Sequence, residues 1–285
     1  MIKRIKNKLI RDGMLSLVIT VVKIVFKKTK YKFSGGVVQR NQYNTTRRKH
    51  IYEDIWINKS VVFKGRSDFS DEASPYLDWR AKRLSFLEKK MPIQENMTCL
   101  ELGAGFGDIS FYLASKNAIV TCCEGNKNNF TILESKMSET SNISCKLLDN
   151  DKDWSKEFAA NSFDLVIHWG LLYHLQNWER DLRLSCRVGK AICLEIEVLD
   201  SSDPYLSNWR RETGNDQALN GIGVVPSWAS IERIFVEEGM LFERFDSAEI
   251  NSGIYTYDWV AKNDESPAKN LSGGQRRYWI AKKES

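Results

Sequence analysis

The sequence predicts an α/β fold: a seven-stranded sheet flanked by helices, preceded by a basic N-terminal helical extension. Three observations predict it. Short apolar runs, the length of strands, alternate with longer amphipathic stretches. One of these runs, Thr98 to Leu102, enters a glycine-rich turn that opens directly into a helix. The charge is divided unevenly along the chain. Residues 1–50 hold fourteen Lys or Arg against the single acid Asp12, and the other 235 residues hold 28 bases against 36 acids. A basic arm therefore precedes a mildly acidic body of ordinary globular composition, within a chain of 285 residues that is 42% apolar.

The arm, residues 1–33, alternates basic and apolar blocks. Its run from Leu15 to Val22, broken by Thr20, is well short of the ~20 residues that span a bilayer. The lysines that follow, and the lack of a small-residue cleavage site after it, argue against a secretory signal. Ser16, Thr20, Lys23 and Lys27 recur at helical spacing as a narrow polar stripe. That pattern predicts a helix lying in an anionic membrane surface. A helix packed on the protein's own core and an arm on nucleic acid stay open as alternatives. Residues 34–78 read as a connector and cap, and residues 79–285 as the main domain.

Within that domain, Trp79, Ala81, Leu84, Phe86 and Leu87 mark an amphipathic helix over 79–90. Strands follow at 98–102, 118–123, 143–148, 163–167 and 191–198. Pro226-Ser227 opens a helix that ends near Gly239, and residues 242–245 and 277–281 read as the last two strands. The six cysteines form no CxxC pair and fall mostly in apolar runs. They read as buried free thiols in a reducing, cytoplasmic compartment. The three histidines are not spaced with them as metal ligands, so no metal site is expected.

The turn Gly103-Ala104-Gly105-Phe106-Gly107-Asp108 discriminates between cofactors. A nicotinamide fingerprint wants its third glycine at 108, where this chain has Asp. With Glu101 in front, the pattern ExGxGxG resembles the first motif of the Rossmann-like class I S-adenosylmethionine-dependent methyltransferases. Phe163-Asp164-Leu165-Val166 followed by Leu172-Tyr173-His174-Leu175 resembles a further segment of that family. The resemblance covers residues 79–285. It implies S-adenosylmethionine as cofactor, with Glu101, Gly103, Ala104, Gly105 and Gly107 about its methionine end. Glu124, 21 residues beyond Gly103, stands where such folds place an acid on the ribose hydroxyls. The resemblance also implies an acid receiving the adenine amino group, for which Asp149 and Asp151 are both candidates. It sets His168 against the cofactor.

Methyl transfer to a hydroxyl needs a base, and His174, at the open carboxyl edge of the sheet, is the first candidate, with His168 the second. Tyr173 and Glu197 are further pocket candidates. The acceptor side is expected from two insertions, 200–225 and 251–270. They hold Trp209, Arg210, Arg211, Glu212, Asp216 and Gln217, then Tyr255, Tyr257, Asp258 and Trp259. Aromatic rings beside Arg and Asp suit a sugar. The favoured expectation is O-methylation of a saccharide or lipid-linked glycan at the cytoplasmic membrane face. An RNA methyltransferase stays open, since Leu172-Tyr173-His174 also resembles tRNA wobble-modifying enzymes. A small-metabolite enzyme and a cofactor-binding module without catalysis stay open as well. Leu271-Ser272-Gly273-Gly274-Gln275 spells an ABC-ATPase signature, but without a Walker A loop it reads as a turn.

Overall fold

A computed structural model describes residues 75–212, 218–252, 255–259 and 275–284. The basic arm, most of the connector, Asp216-Gln217 and 271–274 lie outside the described residues. The chain runs α1 (Pro75–Lys90), β1 (Thr98–Leu102), α2 (Asp108–Ser115), β2 (Ile119–Glu124), α3 (Lys127–Met137), β3 (Ile143–Leu147) and β4 (Phe163–Trp169). A 3-10 turn, Leu172–His174, leads to α4 (Trp178–Val188) and β5 (Gly189–Glu197). Then come β6 (Ser207–Arg211), β7 (Ile222–Pro226), α5 (Trp228–Glu237), β8 (Met240–Arg244) and β9 (Arg276–Lys283).

Seven strands form one sheet in the order β3-β2-β1-β4-β5-β9-β8. β1 to β5 are parallel, and β9 runs antiparallel between β5 and β8. All seven predicted strands are present, and the sheet is flanked by helices as expected. β5 explains why such strands read as apolar runs: seven of its residues in succession, Ala191 to Glu197, are buried. The core gathers around Leu100, Val166, Ile192, Leu194, Phe235 and Trp279.

The order turns outward on either side of β1 and β4, so the crevice beyond their carboxyl ends is the place for a ligand. Local chemistry sets the helices around it. The Asn126 side chain accepts the N–H groups of Asn128 and Asn129 and starts α3. The Ser227 hydroxyl accepts the Ser230 N–H and starts α5, one residue after the predicted Pro226-Ser227 opening.

The first insertion contains a feature the sequence reading lacked. β6 and β7 pair as a separate antiparallel ribbon, Ser207 opposite Pro226 and Arg211 opposite Ile222. It sits hard against the 3-10 turn. A Cβ on Gly223 would lie 2.4 Å from the Tyr173 carbonyl and 2.8 Å from a Glu212 carboxylate oxygen. Only glycine allows this approach.

At the start of α2, Gly107 has φ of +80° and faces α3. An added Cβ would meet Met137 Cε at 2.4 Å and Leu133 Cδ1 at 2.5 Å. Gly107→Ala should lower stability by about 1–3 kcal/mol, from left-handed backbone strain and displaced core side chains. Urea unfolding measures it; an unchanged midpoint would contradict this packing.

Candidate active site

The crevice holds a cavity of about 530 Å³. Its donor end is built from β1, the glycine turn and the end of β2. Glu101, Gly103, Ala104, Gly105, Phe106 and Glu124 line it. Gly103, Gly105 and Gly107 all take positive φ, which folds the turn back over the sheet edge. Glu124 binds this turn to the next helix. Its carboxylate accepts the Gly105 N–H at 2.8 Å and the Asn126 N–H at 2.7 Å. Glu101 is buried and accepts the Ser110 hydroxyl. Burial raises its carboxyl to about 8, against the pull of Ser110. A carboxyl so placed is ready to ionise beside a ligand ammonium. Arg80, paired with Asp108 at 2.7 Å, brings a cation to the same turn.

Leu148, Asp149, Asn150 and Asp151 line the far end, joined by Leu219 from the β6–β7 connection. Both acids considered for adenine therefore face the cavity. Asp151 is the more committed to structure: its carboxylate accepts the Asn177 N–H at 2.8 Å.

Two expected cofactor contacts need correction. His168 does not line the cavity. It is fully buried on β4 facing α4, and its Nε2 is 2.6 Å from Asp181 Oδ2. Trp154 and Asn150 donate to the other Asp181 oxygen at 2.8 and 2.7 Å. His168 belongs to this buried network, on the side of the strand away from Trp169, which does line the cavity. Its burial and its pairing with Asp181 give it a structural place and leave His174 as the histidine on the cavity wall. Gly107 is the second correction. It lies behind the turn against Leu133 and Met137 and shapes the loop without lining the cavity.

His174 does line the cavity, at its acceptor end. Its Nδ1 is 2.5 Å from Glu212 Oε2. Glu212 also takes Arg210 Nε at 2.6 Å and the Ala218 N–H at 2.8 Å. Burial alone would raise the Glu212 carboxyl; the His174 contact, with Ala218 and Arg210, outweighs it and draws it down to about 2. An ionised carboxylate only accepts, so Nδ1 donates, and Nε2 is left as the ring's second nitrogen, able to accept a proton whenever the ring is neutral. Nε2 makes no hydrogen bond among the described residues.

The remaining wall was only partly foreseen. Trp79, Arg83, Tyr173, Tyr255 and Arg276 line it. Tyr257 is fully buried behind them, donating to Glu195 at 2.8 Å. Glu197 lies off the cavity and pairs with Arg210 at 3.1 Å. Trp209, expected among the acceptor contacts, points outward and is 68% exposed. Arg83, Glu195 and Arg276 escaped the sequence reading. The available signal was acids within an apolar strand and paired arginines opening another, since such charges must find one another when buried.

A glycine turn under a ligand, an acid closing β2 and a histidine–carboxylate pair across the crevice define a nucleoside-cofactor site in a Rossmann-like enzyme. Residues 99–191 match the family model described as a methyltransferase domain. The chain thus carries a methyltransferase domain of the Rossmann-like, S-adenosylmethionine-dependent kind. No curated protein matches it. Among solved structures it is similar to the N-terminal domain of EvdMO1, crystallised in the presence of S-adenosylhomocysteine and D-fucose. That match has 19% identity, a TM-score of 0.56 and coverage of 84% of this chain and 97% of that one. It is also similar to an S-adenosylmethionine-dependent methyltransferase from Mesorhizobium loti, with 13% identity, a TM-score of 0.50 and coverage of 71% and 98%. At these identities the likeness is one of fold.

The site makes two predictions. Glu124→Ala removes both a ligand acceptor and the anchor of Gly105, and should weaken S-adenosylhomocysteine binding by about 1–3 kcal/mol in calorimetry. An unchanged affinity would remove Glu124 from the cofactor site. The second concerns protons. At pH 7 the Glu101 carboxyl is mostly protonated, and a bound ammonium favours its ionised form. Binding should therefore release a proton, and below pH 8 affinity should rise with pH, by up to about tenfold per unit. Calorimetry in buffers of differing ionisation enthalpy measures this; zero release at pH 7 would rule Glu101 out as the ammonium partner.

Proposed function

We propose that the chain O-methylates a hydroxyl of a saccharide, free or carried on a lipid, with His174 as general base. The observation that carries this reading is the His174–Glu212 pair on the cavity wall, with Nε2 open to the acceptor end. When bound, the cofactor supplies an electrophilic methyl group. The acceptor hydroxyl gives its proton to Nε2 as its oxygen becomes the nucleophile. The Nδ1 proton stays on the ring and faces Glu212, so the imidazolium that forms is matched by a carboxylate already ionised. Arg210 and the Ala218 N–H hold that carboxylate in place.

The rings of Trp79, Tyr173 and Tyr255 offer faces on which a sugar can stack, and the nearby guanidiniums suit hydroxyl groups. The fold's likeness to a domain crystallised with D-fucose supports the same reading. In this reading the reaction runs at the cytoplasmic face of a membrane, to which the basic and apolar residues 1–33 bring the enzyme.

Full-length protein incubated with methyl-labelled cofactor and fractionated cell material should label glycan or glycolipid; label confined to RNA would overturn the saccharide assignment. On the labelled acceptor, His174→Ala should lower kcat by about 10²–10⁴-fold, and Glu212→Gln by a smaller factor, with S-adenosylhomocysteine affinity kept. A fall of less than about threefold for His174→Ala would take it out of proton transfer.

A further inference from the structure

Glu195 lies on β5 without access to solvent. It accepts from Arg83 Nη1 at 2.9 Å, from Arg276 Nη1 at 3.2 and 3.3 Å, and from the Tyr257 hydroxyl at 2.8 Å. Two guanidiniums thus share one carboxylate, which leaves one net positive charge. Arg83 and Arg276 are only 4% and 3% exposed, yet both line the cavity. The Nε atom of each has no hydrogen-bond partner among the described residues. Arg276 Nη2 donates to the Tyr173 hydroxyl at 2.8 Å, and that hydroxyl's own hydrogen goes to none of the described residues. The rings of Trp79, Tyr173 and Tyr255 stand 5.0, 5.0 and 4.1 Å from the Arg276 guanidinium.

An unmatched charge held away from water is costly, and an anion beside it removes that cost. A guanidinium fork with an adjacent phenol suits a carboxylate. One net charge matches a monoanion better than a phosphate dianion. We propose that Tyr173, Arg276 and Arg83 form a carboxylate subsite and that the acceptor is an acidic sugar. Tyr173 precedes His174, and their rings are 4.2 Å apart. The carboxylate and the reacting hydroxyl would then be held by neighbouring residues. This inference rests on the O-methylation reading and narrows its acceptor. The same chemistry has a second source, the carboxylate of the cofactor itself.

Arg276→Ala would strip Glu195 of a partner and endanger the fold, so the test uses Tyr173→Phe, which keeps the ring. The full chain, saturated with S-adenosylhomocysteine, is titrated in a calorimeter with glucuronate, galacturonate and mannuronate and with their neutral parent sugars. At least one uronate should bind about tenfold or more tightly than its parent, the scale of a hydrogen bond to a charged group. Tyr173→Phe should erase most of that preference while S-adenosylhomocysteine affinity holds. No uronate preference, or a preference untouched by Tyr173→Phe, overturns the proposal. Suppose instead that Tyr173→Phe weakens S-adenosylhomocysteine about tenfold and spares its decarboxylated analogue. Then the subsite belongs to the cofactor, and the acidic-sugar assignment falls. None of these readouts uses turnover. Loss of turnover in His174→Ala without any uronate preference would leave O-methylation standing and remove only the acidic sugar.

Discussion

The architecture of this site depends on a carboxylate that water cannot reach. Glu195 sits in the middle of β5, buried on every side, and an ionised group there persists only if cations are brought to it. Three segments distant in sequence answer that demand: Arg83 from α1, Arg276 from the start of β9, and Tyr257 from the segment between them in space. The requirement fixes α1 against the sheet and so sets the wall of the crevice. Trp79, on the same helix as Arg83, donates to the Tyr257 hydroxyl at 2.6 Å. Removing Glu195 from this cluster would leave two buried guanidiniums without their carboxylate, a cost of about 3–5 kcal/mol.

The donor end follows a similar logic with weaker charges. Glu124 spends its carboxylate on backbone N–H groups, so the glycine turn is shaped before any ligand arrives. Asp181 works behind the sheet through side chains instead, gathering His168, Trp154 and Asn150 onto one carboxylate and holding the loop after β3 against β4 and α4. The Asn150 side chain joins this core network from the same loop by which Asp149 and Asp151 reach the cavity. The acid-bearing loop is thus aimed from behind.

The legibility of the chain tracks burial. The inner strands, β1, β4 and β5 above all, are buried on both faces and appear as apolar runs, whereas the edge strands β3 and β8 are only partly buried and showed through their short length and spacing; the spacing of three glycines carried the cofactor's class. The ribbon of β6 and β7 left no such trace. Ser207-Asn208-Trp209-Arg210-Arg211 is polar and nowhere fully buried, because one side meets solvent and the other meets charged partners. Its role depends on contacts distant in sequence, Arg210 with Glu197 and Glu212 with His174. His168 was misplaced because a run buried on both faces hides which way each residue points, whereas His174, on an irregular turn beyond the strand, is free to face the crevice. Glu195 and Arg276 are opposite charges within strands, and only the β5–β9 pairing shows why both are tolerated.

The close approach at Gly223 carries a consequence for how such a molecule diversifies. The imidazole of His174 belongs to the scaffold that also holds the methyl donor, while the carboxylate that orients it comes from an inserted ribbon pressed onto the same turn. Donor handling and acceptor handling therefore meet on the ribbon: its seam at Gly223 has no room for a side chain, and Leu219 of the same insertion reaches the far end of the cavity. Exchanging the ribbon would recast the surroundings of His174 and, through Leu219, the wall beside Asp149 and Asp151 together. A lineage could change what it modifies in one genetic step, provided that each replacement ribbon again placed a glycine at the seam.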